Sequence, residues 1–580
     1  MIFLKSVFSL PNTRFLHRRS PTIIQCTMSL KARSMPRIDI PTKMKIELTS
    51  TEEEICALLN DCTNHLAEKG INTTCRIAGG WVRDKLLGSQ SHDIDIALSD
   101  IMGLPFAEHL AGFAESKGIK TGSISKIAQN PDRSKHLETA TFKFLGLDID
   151  LVNLRSEEYA DSSRIPTEVT FGTPLQDALR RDTTINALFY NIHTHSVEDF
   201  TGKGLEDLRN GIIRTPLPPR ETFLDDPLRI LRCIRFASRY GFKIVLEAEE
   251  AAKDPVIQNA LMSKVARERA GEELSKMLKG RDPLLSICLI HKLSLYHSIF
   301  SVIPEAISST FSAPPSASDT SLSAANILHA LLHPAESPNL PVAHPTLFSR
   351  ITNDTSCISR LYLAAALTPY RNVTYMDQKR KTQKAVEFII RESLKLGVQN
   401  HFLDGVPSLF AAARLLQNPA LDQEKFRNPS ERVAIGLLLR EKVIHNHNTG
   451  SHWTTSLLFS LVQELVPYYD SLNDKLDTSK AASIIELYNA FVNRIEELDL
   501  LEMIDAKPLL DGHEVVEASG ATKSGAWTGK VMTKILAWQL DNPGATKDTC
   551  RSWLGEERRE GRLVIAEETT EPVCKRARTR

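Results

Sequence analysis

The sequence lacks the features that mark secreted, zinc-stabilised and membrane-spanning proteins. Its nine cysteines are scattered, with no Cys-x-x-Cys pair and no Cys/His cluster at zinc-ligand spacing, which argues against a disulfide framework and a structural zinc. No apolar run approaches the length of a membrane span. The 71 basic and 71 acidic residues cancel, so any nucleic-acid surface must be a local patch. A reducing compartment fits this composition best.

The N-terminus also lacks acidic residues. From Met1 to about Arg37 the chain contains several serines and seven basic residues, namely Lys5, Arg14, Arg18, Arg19, Lys31, Arg33 and Arg37. This composition is typical of a mitochondrial transit peptide, and the alternative is a disordered basic tail. We therefore predict a presequence or disordered segment over 1–40. Translation from Met28 or Met35 would supply a cytoplasmic or nuclear form without it.

Hydrophobic periodicity divides the rest of the chain into a mixed part and a helical part. Between Thr73 and about Tyr190, TTCRIA, DIDIAL and GLDIDLVNL have the pattern of strands, and WVRDKLL that of a helix closed by Gly88. From Asp226 onward the apolar spacing is helical. The 580 residues allow three or four domains. We expect an α+β fold, with a small mixed-sheet domain followed by all-helical domains.

Two segments do not follow helical periodicity. Residues 303–325 are rich in Ser, Ala and Pro, which favours a flexible insertion between helices. HNHNTGSH, at 445–452, reads as a surface loop. Its histidines are not expected to hold a metal, because no helical or strand spacing aims them at one point.

An Asp-x-Asp pair marks the candidate catalytic strand. Asp93 and Asp95 stand at i and i+2 of DIDIAL, so both carboxylates leave the same face. Such a pair repels itself unless cations lie between, and two divalent ions meet that need. Mg²⁺ suits all-oxygen ligands that include phosphate. Asp150 is the natural third carboxylate, with Asp148 on the same face as the alternative. An isolated Asp-x-Asp is more often only a solvated strand edge.

A glycine pair upstream strengthens the functional interpretation. Gly79 and Gly80 lie between a predicted strand and a predicted helix, where backbone N–H groups can approach phosphate oxygens. Arg83, one turn into the helix, can reach the same anion. The alternative is an ordinary glycine turn with a surface arginine. The closeness of GGWVRDKLLG to SHDIDIAL favours a phosphate site.

A succession of motifs then identifies a family. GGWVRDKLLG and HDID are followed by LRRDTTINALFYN, DFTGKGLEDLRNGIIRT and FLDDPLRILRCIRFASRYGF. This order resembles the class II tRNA nucleotidyltransferases, the CCA-adding enzymes of the tRNA nucleotidyltransferase/poly(A) polymerase family, and the eukaryotic, fungal-like branch fits best. The resemblance covers about 71–280 and reappears in KPLLDGHEVV, GAWTGKVM and ILAWQLDNPGATK.

The resemblance implies a domain plan and an activity. The plan is a polymerase-beta-like nucleotidyltransferase head over 45–195, a neck with a base-reading helix over 196–290, a helical body over 291–500, a tail over 501–565 and a basic end over 566–580. The activity is template-independent addition of C, C and A to the 3′ end of tRNA from CTP and ATP, with Mg²⁺ and release of pyrophosphate. The expected partner is therefore tRNA, with no membrane and no obligate protein partner evident.

The resemblance also implies roles for individual residues. Asp93 and Asp95 would be catalytic and would bind metal together with Asp150. The residues expected to bind the nucleotide are Gly79, Gly80, Arg83, Arg181, Asp182, Asn186, Asp226, Arg229, Arg232 and Arg235. Among them, Arg232 and Arg235 are inferred from their own position, because they continue along nearly the same helix face as Arg229, which indicates phosphate contacts. Asp182 would accept from the ribose 2′-hydroxyl, although it could instead cap a predicted helix, TINALFYN. VARERAGEEL, with Arg267, Arg269 and Glu273, would brace the base-reading helix.

The base-reading pair can also be argued from chemistry. Pro227 at a first helical position makes Asp226 an N-cap, which places Asp226 and Arg229 on one side of the first turn. Cytosine and adenine each offer an amine donor beside a ring-nitrogen acceptor. An aspartate that only accepts and an arginine that only donates complement that edge. The alternative is that Asp226 is only a cap and Arg229 a solvated charge.

Two other functions share these motifs. A poly(A) polymerase, or an enzyme that adds only CC or only A, would have the same head. An inactive RNA-binding protein could be built on that head too, but the intact acidic and basic residues favour an enzyme.

Overall fold

A seven-stranded mixed sheet forms the centre of the head. The computed structural model describes residues 27–30, 35–127, 139–159, 166–351 and 354–563. Its first strands are β1 (Thr27–Met28), β2 (Cys75–Ala78), β3 (Asp93–Leu98), β4 (Ile124–Ile127), β5 (Thr139–Phe144), β6 (Leu147–Asn153), β7 (Arg155–Tyr159), β8 (Pro166–Phe171), β9 (Phe189–Asn191) and β10 (Ser196–Glu198). The sheet order is β10-β9-β2-β3-β6-β5-β4. Only β3 and β6 pair in parallel among these strands.

One face of the head sheet packs into the core, and the other carries the carboxylates of β3. The head helices are α1 (Ser50–Glu68), α2 (Gly80–Leu86), α3 (Gly103–Ser116) and α4 (Pro174–Leu179). Along β3, Ile94 and Ile96 are buried in the main core with residues of α1 and α3, each contributing about 1.5–3 kcal/mol. The alternation of DIDIAL sends Asp93 and Asp95 to the opposite face. The predicted strands therefore position the carboxylates as expected.

The chain after the head is predominantly helical. The neck contains α5 (Gly204–Asn210), β11 (Ile212–Ile213), α6 (Pro219–Asp225), α7 (Leu228–Tyr240), β12 (Lys243–Ile244), α8 (Leu246–Ala252), α9 (Pro255–Lys264), α10 (Arg267–Leu278) and α11 (Pro283–Lys292). The body contains α12 (Tyr296–Phe300), α13 (Glu305–Ser308), α14 (Asp319–Leu332), α15 (Thr355–Ala366), β13 (Thr374–Met376), β14 (Thr382–Lys384), α16 (Ala385–Phe388), α17 (Phe402–Leu416), α18 (Glu431–Leu439), α19 (Trp453–Leu465), β15 (Tyr469–Asp470), β16 (Lys475–Asp477) and α20 (Thr478–Glu497). The tail contains α21 (Gly512–Ala518), α22 (Ala526–Asp541) and α23 (Lys547–Arg559).

These elements confirm the fold class with small exceptions. The two strand pairs β13–β14 and β15–β16 interrupt the body, so it is not all-helical. The segment TINALFYN is not a helix either. It forms one 3₁₀ turn, Thr184–Asn186, followed by β9, because its apolar residues Leu188 and Phe189 are fully buried in the head.

The prediction of a flexible insertion at 303–325 is wrong from Asp319 onward. Helix α14 begins inside it at Asp319, and the small residues Ser321, Ala324 and Ala325 are fully buried. Before α14, the backbone N–H of Ser316 donates to the carbonyl of Pro369 at 2.9 Å. A packing surface made of serine and alanine has no strong apolar periodicity, which explains why the sequence pattern was misleading.

The N-terminal prediction needs correction as well. Residues 1–26 and 31–34 lie outside the described part of the chain, as does the basic end at 566–580 with Lys575, Arg576, Arg578 and Arg580. Residues 27–30 and 35–40, however, form a strap across the fold. Strand β1 pairs with β16, and Leu30 is buried with its N–H donating to Asp474 at 2.8 Å. Arg37 donates to the carbonyl of Asn210 at 2.6 Å in the neck.

In the described residues, no helix is both long and apolar enough to cross a membrane. No disulfide links the cysteines in this part of the chain. Backbone pairing and the burial of Leu30 hold the strap against the fold.

The strap gives a test of the alternative start sites. A chain that begins at Met35 lacks Leu30 and both contacts of residues 29 and 30 with Asp474, whereas a chain that begins at Met28 keeps them. Burial of one leucine contributes about 1.5–3 kcal/mol, so we expect faster hydrogen exchange over 469–477 in the Met35 form. Exchange measured by mass spectrometry on both forms decides this. Equal exchange would show that the strap contributes nothing there, and the distant helix α22 is the internal reference.

Candidate functional site

Four carboxylates converge on one face of the parallel strand pair. The register of β3 and β6 sets Asp93 beside Asp148 and Asp95 beside Asp150. Asp150 is partly buried and accepts from the Thr141 hydroxyl at 2.7 Å. Asp148 is exposed, with the ammonium of Lys143 at 4.0 Å. The geometry therefore favours Asp150 over Asp148 as the third carboxylate.

The charge at this face is not balanced by the protein alone. Asp95 keeps solvent-accessible surface, yet the surrounding protein desolvates its carboxylate and raises its pKa to about 6; Arg181 opposes the rise, and the charges of Asp150 and Asp93 add to it. A divalent cation would relieve this repulsion. The donors are all carboxylate oxygens, which fits Mg²⁺.

The glycine turn lies directly against the nucleotide-site arginine. Gly79 has φ +72°, and a Cβ atom there would lie 2.7 Å from Nη1 of Arg181. Gly80 begins α2. A side chain at Gly79 would strain the backbone and displace Arg181, so the glycine is required by both conformation and space.

Arg83 is buried, which contradicts the alternative of an ordinary surface arginine. Its side chain is buried, with Nε donating to Asp84 at 2.8 Å and Nη1 donating to the side chain of Asn186. The guanidinium carbon is 5.1 Å from the centre of the Phe236 ring. Arg83 thus organises the site from within, and a phosphate contact by Arg83 remains a prediction.

Arg181, Asp182 and Asn186 form one hydrogen-bonded group. Asp182 is buried and accepts from the Asn186 amide at 3.0 Å and from Nε of Arg232 at 2.5 Å. Burial opposes ionisation of Asp182, but Arg232 and Asn186 outweigh it and hold its pKa at about 2. Arg181 donates to the backbone carbonyl of Asn186 at 3.0 Å. Asp182 is therefore an acceptor-only carboxylate at any physiological pH.

The predicted base-reading pair lies at the start of α7. Asp226 accepts from the N–H of Leu228 at 3.2 Å and so bonds to the first turn, but the N-cap position is Pro227, one residue later than predicted. Its other oxygen accepts from Arg269 at 3.1 Å. Arg229 is buried and donates to the carbonyl of Arg180 at 2.6 Å.

Helix α10 contacts α7 through paired charges. Glu273 accepts from Arg235 at 2.5 Å and lies 3.8 Å from Arg232. Arg269 pairs with Asp226 rather than with Glu273 at helical spacing. The predicted brace is present, but its ion pairs run across to α7. Arg235 is mostly buried by this contact, so its predicted phosphate role is not supported by an accessible side chain.

Asp177 is a site residue that the sequence reasoning missed. It is buried in α4 and accepts from Arg180 and Arg181, at 2.5 and 2.9 Å. These two charges overcome the effect of burial and lower its pKa. The signal was available, because Asp177 precedes the two arginines by three and four residues, the spacing of helical ion pairs.

The histidine loop does bring its side chains to one point. His445 and His447 place Nε2 at 2.6 and 2.9 Å from one oxygen of Asp505, and these three residues could be considered for a metal. Nδ1 of His445, however, accepts from the N–H of Trp453 at 3.4 Å. That contact leaves the proton on Nε2, where it donates to Asp505. Hydrogen bonds alone account for this cluster, and the reason given from sequence spacing was wrong.

Comparison with known proteins agrees with this site. Residues 75–214 match the model of the poly A polymerase head domain. The mitochondrial CCA tRNA nucleotidyltransferase of Saccharomyces cerevisiae is 39% identical over 87% of this chain and 92% of its own length. That of Candida glabrata is 37% identical over 88% and 96%. The chain belongs to the CCA tRNA nucleotidyltransferase family.

The fold of the family extends to bacteria. A CCA-adding enzyme of Thermotoga maritima, solved in complex with tRNA, superposes with a TM-score of 0.53 at 19% identity, covering 86% of this chain and 95% of that one. The nucleotidyltransferase head with a mixed sheet and the helical remainder are thus shared. The fungal-like resemblance read from the motifs is confirmed.

The raised pKa of Asp95 predicts a pH-dependent stability in metal-free protein. Its value of about 6 exceeds the ordinary 3.8, so the folded state binds this proton more tightly than the unfolded state. The contribution of Asp95 to the free energy of unfolding is therefore lost as pH rises from about 4 to 6. We expect Asp95→Asn to raise Tm more at pH 7.5 than at pH 4.5, measured by calorimetry in EDTA. A gain of equal size at both pH values would contradict this, and Asp148→Asn is the control on the same face.

Proposed function

We propose that this chain adds C, C and A to the 3′ end of tRNA from CTP and ATP, without a template, by two-metal in-line transfer that releases pyrophosphate. The observation that carries the proposal is the placement of Asp93, Asp95 and Asp150 on one face, next to a nucleotide site linked to the base-reading helix. Membership of the family supports the same substrates.

The carboxylates define where the reaction would occur. Asp93, Asp95 and Asp150 would hold Mg²⁺, and their mutual repulsion favours the bound state. When bound, two such ions would activate the attacking 3′-hydroxyl and neutralise the triphosphate and the leaving group. Arg181, whose charge already acts on Asp95, would contact the same phosphates. No side-chain nucleophile is required.

Asp182 would select ribonucleotides. Its carboxylate is ionised and buried. Oδ1 accepts from the Thr183 N–H and from Asn186 and Oδ2 accepts from Arg232, so Oδ2 would accept the ribose 2′-hydroxyl as its second hydrogen bond. A deoxynucleotide would leave that acceptor without its partner, which costs free energy in a buried site. Arg232, already paired with Asp182, would hold the carboxylate in place.

Asp226 and Arg229 would read the base. Both side chains are largely buried at the start of α7, where the carboxylate can accept from the exocyclic amine of cytosine or adenine. Arg229 would donate to the adjacent ring nitrogen. Uracil and guanine present a carbonyl oxygen to the carboxylate instead, which is repulsive. Arg269 would fix the orientation of Asp226, and Gly79 and Gly80 would admit the phosphates.

The helical domains would bind tRNA by its shape and phosphates, because paired RNA exposes little sequence in its accessible groove.

The names of the relatives and the acid-free N-terminus support a mitochondrial location. We propose cytoplasmic or nuclear forms from Met28 or Met35 in addition.

The activity can be distinguished from its rivals by sequencing. Purified protein is given tRNA ending at the discriminator base, with CTP and ATP. Ends that read CCA support the proposal. Ends that read only CC, only A or a long run of A would assign the chain to one of the alternative activities of this superfamily.

The carboxylates provide a direct mutational test. Asp93→Ala, Asp95→Ala and Asp150→Ala should each abolish addition of both C and A, because each removes a metal ligand, while tRNA binding persists. Asp148→Ala removes an exposed carboxylate of the same face and should remain active. Addition assays and filter binding give both readouts. Normal turnover in Asp93→Ala or Asp95→Ala would refute the two-metal mechanism.

Replacing Asp226 tests the base-reading argument. Asp226→Ala removes the repulsion of UTP and GTP, so selectivity should fall by on the order of 2–4 kcal/mol, tens to hundreds of fold. The measurement is kcat/KM for all four ribonucleotides on one tRNA. Loss of the cap also costs about 1 kcal/mol of stability.

A matched control separates the cap from the chemistry. Asp254 caps α9 by accepting from Val256 N–H at 2.9 Å, and it pairs with Arg220 at 3.2 Å. Asp254→Ala therefore loses a similar cap and a similar ion pair outside the site, and it should keep full selectivity. If Asp226→Ala keeps its preference for CTP and ATP, Asp226 is only a cap.

A further inference from the structure

The C-terminal end of α7, the proposed base-reading helix, is hydrogen-bonded to α2, the helix that begins at Gly80. The hydroxyl of Tyr240, the last residue of α7, donates to Oδ1 of Asp84 in α2 at 2.9 Å. Both residues are buried, at 5% and 9% exposure. This hydrogen bond joins the neck to the head, and neither residue belongs to the nucleotide-binding set considered so far.

Asp84 also interacts with the side chains of two arginines. The same Oδ1 accepts from Nε and Nη2 of Arg83, both at 2.8 Å. Arg239 of α7 approaches the other oxygen at 3.6 Å. The guanidinium carbon of Arg83 is 5.3 Å from the centre of the Tyr240 ring and 5.1 Å from that of Phe236. Two aromatic rings of α7 and one carboxylate of α2 thus hold Arg83.

Arg83 connects Asp84 to the residues of the predicted nucleotide site. Its Nη1 donates to Asn186, whose amide donates to Asp182, which in turn accepts from Arg232 of α7. The path therefore leaves α7 at its C-terminal end and returns to it near its middle. With the bond of Arg229 to the carbonyl of Arg180 at the start of α7, the helix is held to the head at its start, near its middle and at its C-terminal end.

This arrangement matters because base and phosphate are handled by different elements. Asp226 and Arg229 lie at the start of α7, about 20 Å of helix from Tyr240, while the carboxylates proposed to act at the α-phosphate lie on the head sheet. A small rotation of α7 about the Asp182 contact would strain the bond of Arg229 to Arg180 and shift the start of α7 relative to the sheet. A misplacement of about 1 Å can cost on the order of a hundredfold in rate.

We propose that Asp84 and Tyr240 are positioning residues for nucleotidyl transfer, which hold the base-reading end of α7 at the correct distance from the metal-binding carboxylates. The inference rests on the proposed function. Neither side chain contacts the reacting atoms; they act through Arg83 and through the orientation of α7.

Tyr240→Phe tests this with little disturbance. The variant keeps the ring against Arg83 and Phe236 and loses only the hydroxyl. We expect kcat for CTP and ATP to fall about tenfold, with KM changed less than threefold, and the preference for CTP over UTP to fall as well. Wild-type protein must add CCA in the same assay; if it does not, the proposed function fails rather than this inference.

Tyr296→Phe is the matched control. Tyr296 is buried in α12 and its hydroxyl donates to the carbonyl of Ala366 at 2.9 Å, so the variant loses a comparable hydrogen bond far from the site. Its kcat should stay within twofold of wild type although its Tm falls by a similar amount. Equal losses of kcat in both variants, an unchanged kcat in Tyr240→Phe, or a change confined to KM would overturn the proposal.

Asp84→Asn gives a second measurement that does not depend on the tyrosine. The amide oxygen can still accept from Tyr240, but the charge opposite Arg83 is lost. Single-turnover rates at saturating CTP should fall while CTP binding, measured by equilibrium dialysis, persists. A single-turnover rate equal to that of the wild type would show that the charge of Asp84 has no role in positioning α7.

Discussion

The ion pair between Asp182 and Arg232 is the contact on which the nucleotide site depends. Asp182 lies between α4 and β9 in the head, and Arg232 lies in the middle of α7. Their side chains meet at 2.5 Å, and Asp182 is buried. A buried carboxylate without a cation would be strongly disfavoured. The pair therefore requires head and neck to lie together, and the bonds of Arg229 to Arg180 and of Tyr240 to Asp84 lie on either side of it along α7.

Most charges of the site are already paired in the protein. Arg181 is held by Asp177, Asp226 by Arg269 and Arg235 by Glu273, so few side chains must be ordered when a nucleotide binds. Pre-ordering lowers the entropic cost of binding. Asp93, Asp95 and Asp150 are the exception, since burial and the neighbouring carboxylates raise the pKa of Asp95 in spite of Arg181. The charges are thus paired where the nucleotide is proposed to bind, whereas the carboxylates repel one another where metal is expected.

Short-range patterns predicted the elements that position the site. The alternation of DIDIAL and GLDIDLVNL gave the strands, and the spacing of Asp226, Pro227 and Arg229 gave the start of α7 to within one residue. Long-range partners were beyond those patterns: nothing in the sequence indicates that Arg83 is buried under α7 or that Arg269 pairs with Asp226. The errors share a cause. Residues 319–325 and TINALFYN were misjudged because tertiary burial, which local periodicity does not record, determines their structure.

The strap has a consequence for how the chain is matured. If a protease trims an imported precursor, a cut after Leu30 would discard an edge strand and a buried leucine, whereas a cut ahead of Thr27 would spare both. Leader removal is then constrained by the fold as well as by the recognition of the leader. Mutations that shift the cleavage point by a few residues would then reduce the stability of the fold, although β1 pairs with β16 of the body and not with the carboxylate-bearing strands β3 and β6.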